Sequence, residues 1–289
     1  MERAMLKECP ISCFADEIAI NLDQQAEVLN KLNIKYIEFR SANGIAVADY
    51  TIEQAKEVKR YLDNSGIHVS AIGSPIGKIN ATDDFEEHMK KLCHIEQLAD
   101  IFETPYIRMF SFYIPENTKA QDVRDEVMRR MECMINEAQK NNFVLLHENE
   151  KGIYGDNAIR CLDLMKSFYS NTFKATFDFA NFIQCGQDTL EAYKMLKPYI
   201  EYVHIKDAKL EDGQVVLAGE GDGRLFEILK NLDDSGYRGF LSLEPHLANF
   251  AGLSKLEKSA AVREENDTKK AFCEAYHALE KLLEKKDEF

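Results

Sequence analysis

Residues 174–207 read KATFDFANFIQCGQDTLEAYKMLKPYIEYVHIKD. Two short runs, "KATFDF" (174–179) and "YVHIKD" (202–207), flank a stretch of helical periodicity over 187–198. A strand, a crossover helix and a second strand at this spacing make a βαβ unit with parallel strands. The same alternation extends outward in both directions. Further strand-like runs are "ISCFAD" (11–16), "YIEFR" (36–40), "HVSAIG" (68–73), "YIRMF" (106–110), "FVLLHE" (143–148) and "FLSLEP" (240–245). Helical segments fit 21–32, 51–64, 82–102, 119–141, 156–169, 224–235 and 259–286. "TIEQ" (51–54) is a capping box, and "TDDFEE" (82–87) puts acidic side chains at the positive end of a helix. Eight strands each followed by a helix is the pattern of an α/β (β/α)8 TIM barrel, expected as one domain over 1–289. A doubly wound sheet would carry a G-x-G-x-x-G turn after the first strand, and the sequence has none there.

The chain carries 36 Lys and Arg against 50 Asp and Glu, a formal net charge of -14. That balance disfavours nucleic acid as a partner, because phosphate binding draws on clustered cations. Seven cysteines, odd in number and without a C-x-x-C pair, suit reduced thiols in the cytoplasm. The N-terminal segment lacks a signal-peptide core, and no apolar run approaches membrane-spanning length. The expected partner is a small molecule, and the long last helix leaves room for a homo-oligomer.

Strand parity locates the chemistry. In a barrel strand alternate side chains point inward, and active sites gather at the C-terminal strand ends. In "YVHIKD", Val203 and Ile205 face the helices while His204 and Lys206 face in. In "FLSLEPH", Leu241 and Leu243 pack outward while Ser242, Glu244 and His246 face in. "TFDF" leaves Asp178 inside, "YIEFR" leaves Glu38 and Arg40 inside, and Glu148 ends "VLLHE". Carboxylates crowded at one barrel end repel one another unless a cation sits among them. Glu148, Asp178, His204 and Glu244 end four successive strands. Three carboxylates and an imidazole suit one divalent metal ion, with Mn, Zn, Co, Ni or Mg all compatible.

The order Glu, Asp, His, Glu in "LLHENE" (145–150), "TFDFAN" (176–181), "VHIKDA" (203–208) and "GYRGFLSLEPHL" (236–247) resembles the xylose isomerase-like TIM barrels of the sugar phosphate isomerase/epimerase type. The resemblance spans nearly the whole chain. It implies that Glu148, Asp178, His204 and Glu244 hold the metal, and that Glu148 and Glu244 are the acid/base pair on opposite faces of the substrate. The implied activity is a sugar or keto-sugar isomerase or epimerase working by proton transfer through an enediolate. Ketose 3-epimerases carry a histidine three residues after the strand-six aspartate and an arginine after the strand-seven histidine. Here those places hold Asn181 and the lysines Lys206 and Lys209, which departs from ketohexose epimerisation itself.

Lys206, Asn181, His246, Arg108 and Glu38 are the expected substrate contacts. The same site supports a second outcome, a metal-dependent dehydratase or lyase on an oxidised sugar or polyol resembling inosose dehydratase. An endonuclease IV-like repair enzyme would need more histidines at strand ends, and a non-catalytic sugar-binding barrel would not need the full quartet. The bland alternative to a metal is ion pairing of Glu244 with Arg40 and of Asp178 with Lys206. "GEGDG" (219–223) invites a phosphate cradle, but Glu220 and Asp222 would repel a phosphate, which favours an unphosphorylated or neutral polyol substrate. His88, His94, His277 and His68 fall away from the strand ends and read as structural or solvated.

Overall fold

The computed structural model describes residues 6–251, 253 and 267–284. Eight parallel strands form the barrel: β1 (Ile11–Cys13), β2 (Tyr36–Phe39), β3 (His68–Gly73), β4 (Tyr106–Met109), β5 (Val144–Glu148), β6 (Phe173–Asp178), β7 (Ile200–Ile205) and β8 (Phe240–Leu243). They pair in the order β1-β8-β7-β6-β5-β4-β3-β2, and β1 and β2 stand side by side at the seam without a ladder of their own. The sheet is a nearly closed (β/α)8 barrel.

The periodic segments form the outer helices. Their main members are Leu22–Lys31, Ile52–Asn64, Glu86–Phe102, Ala120–Lys140, Ala158–Phe168, Thr189–Leu196, Leu225–Asp234 and Thr268–Glu284. At Thr51 the capping box is formed: its hydroxyl accepts from Gln54 N at 3.2 Å while its own N–H donates to Gln54 Oε1 at 2.9 Å. The helix expected from 82 starts instead at Glu86. Asp83 accepts from Asn80 N and Asp84 from Glu86 N, so these acids build the turn before the helix. The helix expected over 259–286 is seen from Thr268 to Glu284; Asp267 precedes it, and residues 259–266 and 285–286 lie outside the described residues.

Outward-facing strand residues such as Val203, Ile205, Leu241 and Leu243 join the main core between sheet and helices. Inside the barrel, Ala71, Leu146 and Tyr202 form a separate small cluster that plugs the lumen. Tyr202 OH lies 2.8 Å from Ser70 Oγ, itself 2.6 Å from Ser12 Oγ, so the plug's polar tip is satisfied within the barrel. Parity then lifts the next inward residue of each strand onto this floor. Leu146 is followed by Glu148, and Tyr202 by His204.

Two local features differ from the sequence reading. Strand β6 stops at Asp178 because a short helix, Phe179–Gln184, begins at once. "EDGQVV" belongs to a wider hairpin in which Asp207–Ala208 pairs with Val215–Val216. A second small hairpin, Ser41–Ala42 with Ile45–Ala46, turns through Asn43 and Gly44, both with positive φ, a signature that "SANGIA" already carries.

Candidate metal centre at the barrel mouth

Asp178 and His204 meet because β6 and β7 pair them in register, and His204 is likewise opposite Ser242 on β8. Glu148 ends β5 on the next strand over, and Glu244 extends β8 with its N–H on Ile205 O at 3.3 Å. All four side chains are buried, and one ligand atom from each lies within 4.8 Å of those of the other three. His204 Nδ1 is 3.2 Å from Glu148 Oε1, 3.5 Å from Glu244 Oε2 and 3.8 Å from Asp178 Oδ2.

The donor set fits a divalent ion. Asp178 Oδ1 is committed as the cap of the short helix, accepting from Asn181 N at 2.7 Å, which leaves Oδ2 for the centre. Both Asp178 Oδ2 and His204 Nδ1 are buried without a hydrogen-bond partner, although Lys206 Nζ lies 3.0 Å from Asp178 Oδ2 as an ion pair. The two atoms lie 3.8 Å apart and face the same centre, an arrangement that would suit a divalent ion as a common partner. The other imidazole nitrogen, Nε2, is 3.0 Å from Glu38 Oε2, the carboxylate–histidine arrangement that orients a metal-binding ring.

The electrostatics point the same way. Burial lowers the His204 pKa, but Glu38 and Glu148 outweigh it and hold the ring well above its usual value. A proton thus holds at His204 the place that a divalent ion would take by displacing it. Asp178 is pushed up to about 6, by burial first and then by Glu148 and Glu244 against the pull of Lys206. Glu148 and Glu244 both sit below their ordinary range: burial raises each, but His204 and Arg108 prevail at the first, Lys206 and His246 at the second.

The expected substrate contacts surround this quartet and are all buried. Lys206 Nζ bridges Asp178 Oδ2 and Glu244 Oε2 at 3.0 Å each. Asn181 Nδ2 donates to Glu148 Oε1 at 3.2 Å and to Asn149 O at 3.0 Å. Arg108 Nη1 donates to Glu148 Oε2 at 2.9 Å, and Arg108 Nε is 3.7 Å from Glu38 Oε1. His246 turns out of the strand at a φ of 47 and places Nε2 3.5 Å from both Glu17 Oε1 and Glu244 Oε1. Glu38 faces His204 and Ser242. The ion pairs of the bland alternative are present too, Arg40 with Glu244 at 3.0 Å and Lys206 with Asp178, within the same cluster.

Asp16 and Glu17, in the turn Ala15–Glu17 after β1, escaped the sequence reading. Asp16 holds Arg40 through both oxygens, at 2.8 and 3.1 Å. "FADE" continues the inward parity of Ser12, which was the available signal. The "GEGDG" loop binds an anion, and that anion is the chain's own Asp207. Gly219 N and Gly221 N donate to its Oδ2 at 2.9 Å, and Gly223 N to its Oδ1 at 3.0 Å. A Cβ at Gly221 would stand 2.2 Å from Asp207 Oδ1, so only glycine permits the approach. The cradle is closed to phosphate for this reason, and Glu220 and Asp222 are not the cause.

A cavity of about 500 Å³ opens beside the quartet between the β1, β2 and β3 loops. None of the four candidate ligands lines it. It meets them through Arg40 and Arg108, which line its wall and touch Glu244 and Glu148.

A family profile described as a xylose isomerase-like TIM barrel matches residues 26–269. Among curated relatives, a 3-dehydroshikimate dehydratase of Bacillus anthracis is 25% identical over 134 residues, 46% of this chain and 48% of its own length. An inosose dehydratase of Clostridium perfringens is 26% identical over 133 residues, covering 39% of this chain and 45% of its own. The chain thus spans about half the length of the curated relatives it matches. Among solved structures, the IolI protein with a bound zinc atom superposes with a TM-score of 0.72 at 16% identity, covering 95% of this chain and 98% of that one. A D-psicose 3-epimerase in the presence of D-fructose gives 0.71 at 14% identity, covering 94% and 97%. These structural likenesses establish a common fold.

Proposed function

The chain belongs to the xylose isomerase-like TIM barrel family, and from that premise we propose that it is a divalent-metal-dependent enzyme that moves a proton next to a substrate carbonyl. The observation that carries the reading is the convergence of Glu148, Asp178, His204 and Glu244 on one buried point. A divalent ion held there would polarise a substrate carbonyl and stabilise the negative charge that grows on its oxygen. Asp178 and His204 serve as fixed ligands, Asp178 through Oδ2 and His204 through Nδ1. Glu38 orients the His204 ring and makes no substrate contact in this reading. Glu148 and Glu244 hold the ion and exchange protons with carbon, one removing and one returning. Buried cations keep each ionised and ready to accept: His204 and Arg108 beside Glu148, Lys206 and His246 beside Glu244, which also pairs with Arg40. Lys206 and Asn181 position substrate oxygens. The substrate is a small sugar, polyol or derived keto compound, handled in the cytoplasm.

Two outcomes share these steps. Elimination of a β-hydroxyl, a dehydration, is favoured by the two curated relatives, both named as dehydratases. His246, 3.5 Å from Glu244 Oε1, is the candidate to give a departing hydroxyl its proton. Isomerisation or epimerisation, the first choice on sequence alone, is favoured by the paired glutamates. Proton NMR in deuterated water with a panel of cyclic and open-chain keto-polyols separates them. Metal-dependent loss of the C–H signal beside the carbonyl is expected. An unsaturated carbonyl product marks dehydration, and a rearranged product that has lost no water marks isomerisation. Absence of exchange across the panel with metal present would overturn the reading.

A further inference from the structure

On a chain of net charge -14, the cavity beside the quartet is lined by Arg40, Lys78 and Arg108 and, among its lining residues, by a single carboxylate, Asp16. The two guanidinium groups are clamped between rings. Arg40 Cζ lies 4.3 Å from the Phe14 centroid and 5.5 Å from that of Phe250. Arg108 Cζ lies 5.4 Å from Phe14 and 4.6 Å from Phe110. Both therefore stack on one Phe14 ring, two like charges held side by side at a cavity wall.

Gly73, at the end of β3, makes that approach possible. A Cβ there would stand 2.8 Å from Phe14 Cε1, 3.2 Å from Arg40 Cβ and 3.4 Å from Arg108 Nη2. Arg40 spends its donors on Asp16, Glu17 and Glu244. Among the described residues Arg108 makes one hydrogen bond, from Nη1 to Glu148; its Nε is 3.7 Å from Glu38 Oε1, an ion pair beyond hydrogen-bond reach, and Nη2 makes no hydrogen bond. A planar guanidinium with donors to spare, rigid on two aromatic faces and backed by a second, matches a carboxylate. The closed Asp207 cradle removes the phosphate alternative on the β7 side.

We propose that the substrate carries a carboxylate, held against Arg108 with Arg40 as the second positive charge, so that the enzyme acts on a polyhydroxy acid and not on a neutral sugar. The inference rests on the reading of the quartet as the reaction centre, which meets the wall of this cavity through Arg40 and Arg108.

Calorimetric titration of the full-length protein with matched acids and alcohols tests it: D-gluconate against D-glucitol, and D-ribonate against D-ribitol. Titrations are run with metal bound and again after chelation, so that an acid held by the ion alone is recognised by its loss. Each acid is expected to bind at least about tenfold tighter than its alcohol in both states, and Arg108→Gln to abolish the preference. Arg108→Lys, which keeps the charge and loses the fork, should retain part of it, and thermal melting verifies that each variant folds. An acid preference that is absent in both pairs, including the case in which nothing binds, overturns the proposal. So does a preference indifferent to both Arg108 variants. The reaction reading fails separately, by absence of proton exchange, whatever the acids do.

Discussion

Glu38 Oε2 lies 3.0 Å from His204 Nε2, with both side chains fully buried, and Ser242 Oγ donates to the same oxygen at 3.0 Å. This contact fixes which imidazole nitrogen turns toward Glu148, Asp178 and Glu244. Glu38→Gln is therefore expected to weaken divalent-ion affinity about 10- to 100-fold, read by competition with a chromophoric chelator. Unchanged affinity would assign Glu38 to something other than the ring.

Lys206 stands 3.0 Å from Asp178 and from Glu244 and pairs with both at once. Lys206→Met leaves two buried carboxylates short of a cation, which should cost the metal-free protein roughly 3 kcal/mol or more. A divalent ion restores much of that charge, so the rise in melting temperature on adding metal should be larger in Lys206→Met than in the wild type. An equal rise would mean that the ion binds elsewhere.

Asp207 gathers the N–H groups of Ala208, Gly219, Gly221 and Gly223, and with them the whole loop after β7. Asp207→Ala orphans four donors and should lower the free energy of urea unfolding by roughly 2–4 kcal/mol. Asp222→Ala, which loses an exposed bond from Leu210 N, should cost about 1 kcal/mol or less. Similar effects of the two changes would contradict the latch.

His88 is buried and accepts a hydrogen bond from Gly77 N at 2.7 Å through Nε2. Burial first, then Lys91 and Arg130, bring its pKa down to about 4 from the usual 6.5. Between those values the unfolded chain binds more protons than the folded one, so stability rises with pH across that window. The contribution is complete above 6.5 and is lost as the pH falls toward 4. His88→Gln should flatten the wild-type slope there by on the order of 1–2 kcal/mol, measured as unfolding free energy against pH. A variant with the same slope would place the effect on other groups.

Much of the barrel is written in the sequence because burial on both faces forces apolar runs, and the quartet is written because parity exposes any charge that breaks them. Glu244 between Leu243 and Pro245 is such a break, as is His204 between Val203 and Ile205. What the sequence hides depends on loops. Asp16 keeps the inward parity of Ser12, but Glu17 reaches the site from a turn and Lys78 from the connection after β3, and neither of these two has a period to betray it. The role of Glu38 was also hidden, since parity puts it inside without saying that the His204 ring lies across the barrel from it. The glycines of "GEGDG" announce an anion, but nothing local identifies Asp207, twelve residues before the first of them, as that anion.

The most direct test of the account is the divalent-metal content of the purified protein by plasma mass spectrometry, compared with that of Asp178→Ala and His204→Ala after identical metal loading and desalting. The account predicts one tightly held ion per wild-type chain and little or none in either variant, with both variants still folded by circular dichroism. A wild type that retains no ion, or variants that retain it in full, would contradict the claim that Glu148, Asp178, His204 and Glu244 form a metal centre.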